Sequence, residues 1–164
     1  MRVCGTANPL EQPDRLWVQE DGGWVDRAAE LGVDDPGMGR TMVAADIDRD
    51  GTLDLVTWQL IEGPRIYRGR PTGGSWLRVE LDAVGTRNRF AVGARVEVWS
   101  QDGARLGLQD LQVGSTGAFS SGPPELHFGL GAHEVVDVVV RWPDGELTVN
   151  EGVDARGAIR LTRG

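Results

Sequence analysis

Apolar and polar residues alternate with a period of two along most of this chain, in short runs broken by turn-forming residues. That period puts successive side chains on opposite faces of an extended strand, whereas a helix needs apolar positions three or four apart. The alternation predicts strands at Arg15 to Val18, Trp24 to Asp26, Met42 to Ala45, Leu55 to Trp58, Arg65 to Tyr67 and Trp76 to Leu81. It predicts others at Ala94 to Trp99, Leu106 to Val113, Glu125 to Phe128, Val135 to Trp142, Leu147 to Asn150 and Ala158 to Leu161. Hairpin tips are expected at Asp21-Gly22-Gly23, Asp102-Gly103 and Pro143-Asp144-Gly145, where turn residues interrupt the alternation. Only Arg27 to Leu31 reads as a helical turn, stopped by Gly32. With 24 Gly and 8 Pro added to this pattern, the expected class is all-β.

The Pro/Gly/Ser cluster Arg70-Pro71-Thr72-Gly73-Gly74-Ser75 has linker character and divides the chain into 1–73 and 74–164. In the second part Val136, Val138 and Val140 fall on one strand face, with Asp137, Val139 and Arg141 on the other. Val92, Ala94, Val96 and Val98 form a similar stripe opposite Gly93, Arg95, Glu97 and Trp99. Both faces are partly apolar, which fits two packed layers better than a lone sheet.

Composition narrows the function classes. At 164 residues and 40% hydrophobic content the chain can bury a core. A net charge of −8 disfavours sequence-independent nucleic-acid binding and adsorption to anionic membranes. All 17 basic residues are Arg, so Schiff-base chemistry on lysine is absent. Cys4 is the single cysteine, which removes any intrachain disulfide or CxxC site. Met1 to Gly5 lacks the apolar stretch of a secretion signal, and no run approaches the ~20 apolar residues of a membrane span, so no membrane insertion is expected.

The segment Asp46-Ile47-Asp48-Arg49-Asp50-Gly51-Thr52-Leu53-Asp54 departs from the alternation by placing four carboxylates around one glycine. Converging them costs electrostatic repulsion unless a hard cation sits between, and oxygen-only donors favour Ca²⁺. An EF-hand would need a Glu at the position of Thr57 and helices on both sides; a dockerin-type loop fails on the same residue. Asp48-Arg49-Asp50-Gly51-Thr52-Leu53 also matches the motif of haloacid-dehalogenase-like phosphatases, with Asp48 as nucleophile and Asp50 as acid/base. That alternative needs a doubly wound α/β fold and a distal acidic pair, and the strand pattern supplies neither. A solvated acidic turn is the plainest reading. The preferred one is a β-hairpin calcium loop, with Asp46, Asp48, Asp50 and Asp54 giving side-chain oxygens, Thr52 a carbonyl, and Gly51 the positive φ.

The stretch from Gly39 through Asp46-Ile47-Asp48-Arg49-Asp50-Gly51 to Val56 resembles an FG-GAP/VCBS repeat, the blade unit of integrin-α-like β-propellers. Trp76 to Leu81, Asn88 to Val98, Leu126-His127-Phe128-Gly129-Leu130-Gly131 and Val136 to Gly145, with its Arg141-Trp142-Pro143-Asp144-Gly145, resemble an ASPIC/UnbV domain. Two departures stand out: Ala91, where a Gly-like or acidic residue is frequent, and Ser120-Ser121-Gly122 in place of a Ser-Gln stretch. The resemblance implies one partial propeller blade (1–73) followed by a small antiparallel β-sandwich-like domain (74–164). It further implies a non-enzymatic calcium-stabilised binding, adhesion or scaffold module, extracellular, periplasmic or at the cell surface. A protein or glycan partner is expected, with the missing blades supplied by a longer protein.

Other candidates have plainer readings. His127 makes no triad spacing with Asn88, Ser115 or His133 and is expected to be structural. Six scattered Trp residues at strand ends suit core plugs and hairpin staples better than a sugar platform. Arg65, Arg68 and Arg70, and Arg87 with Arg89, are expected to be charged strand edges or partners for the abundant Asp.

Overall fold

A computed structural model describes residues 12–113 and 121–163. Cys4, Ser115 and Ser120 lie outside them. The described residues form β1 (Trp17–Glu20), β2 (Gly23–Asp26), α1 (Ala28–Leu31), β3 (Gly39–Ala45), β4 (Asp54–Gln59), β5 (Gly63–Tyr67) and β6 (Ser75–Asp82). There follow β7 (Arg95–Ser100), β8 (Arg105–Asp110), β9 (Glu125–Gly131), β10 (Val135–Arg141), β11 (Leu147–Asp154) and β12 (Gly157–Thr162). Every expected strand is present, and the one helical turn ends on Gly32 in the left-handed region, as its sequence signal implied. The protein is all-β. The doubly wound α/β layout that a phosphatase of the haloacid-dehalogenase type requires is therefore not the architecture of this chain.

Two sheets make the second half: β11-β10-β7-β8 and β12-β6-β9. Their inner faces share one core. Leu77, Val79 and Leu81 of β6 and Leu126, Phe128 and Leu130 of β9 meet Val96 and Val98 of β7 and Val136, Val138 and Val140 of β10. The two-layer arrangement follows directly from period-two burial on these strands. Trp142 plugs one end, fully buried, and its indole N–H donates to Thr148 Oγ1 at 2.8 Å.

Three details differ from expectation. The domain is not wholly antiparallel, because β12 pairs with β6 in parallel, Gly157 opposite Leu77 through Thr162 opposite Asp82. The last strand runs alongside the domain's first, a long-range closure that no local pattern encodes. Next, Val92 does not join the apolar stripe. Ala91 (φ 54°) and Gly93 (φ 91°) turn the chain so that Ala91 is buried while Val92 is 37% exposed, which explains why a glycine suits position 91. Finally, β8 stops at Asp110, and Leu111 instead caps the core, exchanging backbone hydrogen bonds with Gly93 and Ala94.

The first half is a three-stranded antiparallel sheet, β3-β4-β5, beside a separate β1-β2 ribbon. No propeller ring forms among the described residues. Its interior is polar: Asp35, Asp46, Asp54, Thr57 and Gln59 are buried, while Trp17, Trp24, Trp58, Ile61 and Ile66 are each more than half exposed. Asp35 holds the Gly37 amide at 2.9 Å and pairs with Arg65 at 2.5 Å; Gln59 donates to Asp14 at 3.3 Å. Burial, then the nearby Asp35 charge, pushes the Asp14 carboxyl above its ordinary 3.8.

Two outcomes follow. Val138→Ala empties a fully buried site and should destabilise by roughly 2–3 kcal/mol in urea unfolding, through lost transfer energy plus a residual cavity. Because the folded pKa of Asp14 is raised, its protonated form favours folding, and stability is lost as pH rises from about 3.8 through the folded value. Asp14→Asn should remove that portion of the pH dependence and be no less stable than the parent at pH 7, measured by urea midpoints across pH 3.5–7.

Candidate metal centre

The acidic loop spans 46–53 between β3 and β4, whose last ladder pair is Ala45 with Asp54. Its turns use two left-handed residues, Arg49 (φ 66°) and Gly51 (φ 90°). Asp46 is 3% exposed, and its Oδ2 accepts the Gly51 amide at 3.0 Å. Asp50 Oδ1 accepts the Thr52 amide at 2.8 Å. Asp46, Asp48 and Asp50 thereby bring carboxylate oxygens within 4.8 Å of one another. Two oxygens bound to one Ca²⁺ can sit no more than about 5 Å apart, twice a 2.3–2.6 Å bond, so the spread suits that ion. Asp46 Oδ1 is buried and has no hydrogen-bond partner, an orphan that a cation would satisfy.

Asp54 is not part of this group. Its two oxygens accept the Ile47 amide at 3.2 Å and the Gly69 amide at 2.8 Å, so the geometry makes it the staple that closes the loop's base. Arg68, adjacent to Gly69, pairs with Asp48 and lies 3.9 Å from Asp50, so Arg68 does partner acidic residues as its sequence context suggested. For nucleophilic chemistry Asp48 would need a phosphoryl-binding surround; it has one exposed guanidinium and a turn.

The far side of the loop rests on the second half. Trp76 of β6 occupies the space a side chain at position 51 would need: a Cβ there would fall 1.9 Å from the indole. His127 of β9 stacks on that indole, centroids 5.9 Å apart and planes 8° from parallel. Its Nε2 lies 3.0 Å from the Gly51 carbonyl, which fixes Nε2 as the donor. Arg49 reaches Glu125 of β9 at 2.8 Å, and Arg78 of β6 lies 3.5 Å from the same oxygen. Glu80 nearby is held below the usual carboxylate range, chiefly by its hydrogen bonds from Arg160.

Sequence reasoning brought out the loop but not its seat. Trp76 and His127 bear on Gly51 from strands distant in sequence, and their only local mark is an aromatic or imidazole on the polar face of an alternating strand. His127 is structural, as expected, but its partners lie across the boundary between halves. Of the six tryptophans, Trp142 is a core plug and Trp76 a loop seat.

No helix among the described residues is long and apolar enough to cross a membrane. Residues 85–164 match the family described as ASPIC and UnbV. Cartilage acidic protein 1 of Mus musculus and of Homo sapiens are each 36% identical to this chain over 117 residues, which is 68% of the chain and 17% of the relative. Cartilage acidic protein 1 of Xenopus tropicalis is 32% identical over 116 residues, again 68% and 17%. The match thus spans about a sixth of the length of these curated relatives. Residues 85–164, which carry the strands β7 to β12, are an ASPIC and UnbV domain, on a chain homologous to cartilage acidic protein 1.

Proposed function

We propose that this chain is a non-enzymatic, calcium-stabilised binding or scaffold module of an extracytoplasmic protein. Residues 1–73 act as an FG-GAP/VCBS-like blade unit and 74–164 as the ASPIC/UnbV-like domain. The carrying observation is that Asp46, Asp48 and Asp50 each bring a carboxylate oxygen within 4.8 Å of the others, while Asp46 also keeps a buried Oδ1 without a hydrogen-bond partner. Oxygen-only, flexible coordination of this kind suits Ca²⁺, with the Thr52 carbonyl and water completing the shell. Asp54 holds the loop rather than the ion in this reading.

The ion's role is mechanical. It offsets the repulsion of three carboxylates and ties the β3–β4 hairpin of a half that buries polar groups in place of an apolar core. Trp17, Trp24, Trp58, Ile61 and Ile66 are each exposed and are the apolar side chains that further blades of a longer protein, or a protein or glycan partner, would cover. The relatives' name, cartilage acidic protein, supports an extracytoplasmic setting.

A dissociation constant near ~10⁻⁴ M, usual for extracellular modules, gives roughly 1.8 kcal/mol of stabilisation at ~2 mM Ca²⁺ by mass action. Thermal unfolding in millimolar Ca²⁺ against EGTA should show a raised midpoint. Asp50→Ala should abolish the shift while the far-UV β spectrum persists; equal midpoints for the parent in the two buffers would sink the calcium reading.

A further inference from the structure

We infer that the Trp76–His127 pair of the second half is a positioning element for the cation loop, so that ion affinity in one half is set by docking on the other. This rests on the calcium reading above and adds to it a control that lies outside the ligands.

The link is a single peptide plane. The unit joining Gly51 to Thr52 presents its carbonyl to His127 Nε2 at 3.0 Å and its N–H to Asp50 Oδ1 at 2.8 Å. A trans peptide is rigid, so fixing the carbonyl direction fixes the N–H direction, and with it the Asp50 carboxylate. The neighbouring amide, Gly51 N–H, orients Asp46 through Oδ2 and leaves Oδ1 unpartnered. Trp76 fills the space above the Gly51 α-carbon, and its stack on His127 holds the donor in place. Arg49, between two of the ligands, is latched to Glu125.

Strand alternation builds this seat. Leu77, Val79 and Leu81 of β6 and Leu126 and Phe128 of β9 point into the core, so Trp76, Arg78 and Glu80 and their neighbours Glu125 and His127 share the opposite face. In the register, Gly129 stands opposite Trp76 and His127 opposite Arg78. By thermodynamic reciprocity, an ion whose binding depends on docking must also strengthen docking.

The test uses Ca²⁺ alone, titrated calorimetrically into the full chain. His127→Phe keeps a ring to stack on Trp76 but removes the donor, and should weaken Ca²⁺ binding about tenfold, the scale of one well-placed hydrogen bond. His127→Gln restores a donor and should recover most of the loss, which a purely packing role would not. Urea midpoints in EGTA report whether each variant is folded. Hydrogen exchange of the parent supplies the reciprocal readout: amides of β6 and β9 should exchange more slowly with Ca²⁺ than with EGTA. Parent binding with unchanged affinity in His127→Phe, equal loss in both variants, or Ca²⁺-independent exchange in β6 and β9 overturns this inference and leaves the calcium reading standing. Absence of Ca²⁺ binding by the parent overturns both.

Discussion

Among its described residues, the first half of this protein has no apolar core of its own, and the rest of its architecture answers that constraint. A three-stranded sheet gains stability by burying one face, yet the buried side chains of β4 are Asp54, Thr57 and Gln59, while Trp58 faces outward. What holds the half together is polar and specific: carboxylates accepting backbone amides, Arg65 on Asp35, and the loop base stapled by Asp54. Such contacts are individually small in net energy and costly to leave unsatisfied. Asp46 Oδ1, like Thr57 Oγ1 and Gln59 Oε1, is buried without a hydrogen-bond partner, and it is the one of these three that sits in the carboxylate cluster.

The second half supplies what the first lacks. Its two sheets enclose a continuous core from Leu77 to Leu161, and the outer face of β6 and β9 is left free to carry polar and aromatic groups. The acidic loop lies against that face, with Gly51 pressed to Trp76 and Arg49 tied to Glu125. A loop that converges negative charge is thus docked on this face by a glycine and by the loop's one cation. Only glycine serves there, both for its positive φ and because any side chain would collide with the indole.

Much of the fold was legible because burial here follows period two. All twelve strands, the turn ending at Gly32 and the apolar stripe of Val136, Val138 and Val140 could be placed from alternation and turn residues. What escaped was long-range. The parallel closure of β12 on β6 joins the ends of the domain, and nothing in either strand names its partner. Val92 was misplaced because the left-handed Ala91 shifts the stripe by one residue, and only a glycine there would have signalled the kink. In the loop, spacing identified four aspartates but could not separate the gathered Asp46, Asp48 and Asp50 from Asp54, whose oxygens are drawn off by the Ile47 and Gly69 amides. Nor could it join Trp76 and His127 to the loop.

The central claim is that a calcium ion occupies the cluster of Asp46, Asp48 and Asp50 and is felt across the seam. Nuclear magnetic resonance of the ¹⁵N-labelled chain titrated with Ca²⁺ tests it most directly. The account predicts saturable shifts at the Gly51 and Thr52 amides and at the Trp76 indole N–H, following one binding curve. No saturable change at these positions up to ~10 mM Ca²⁺, well above the 10⁻⁴–10⁻³ M range of weak extracellular sites, would contradict it.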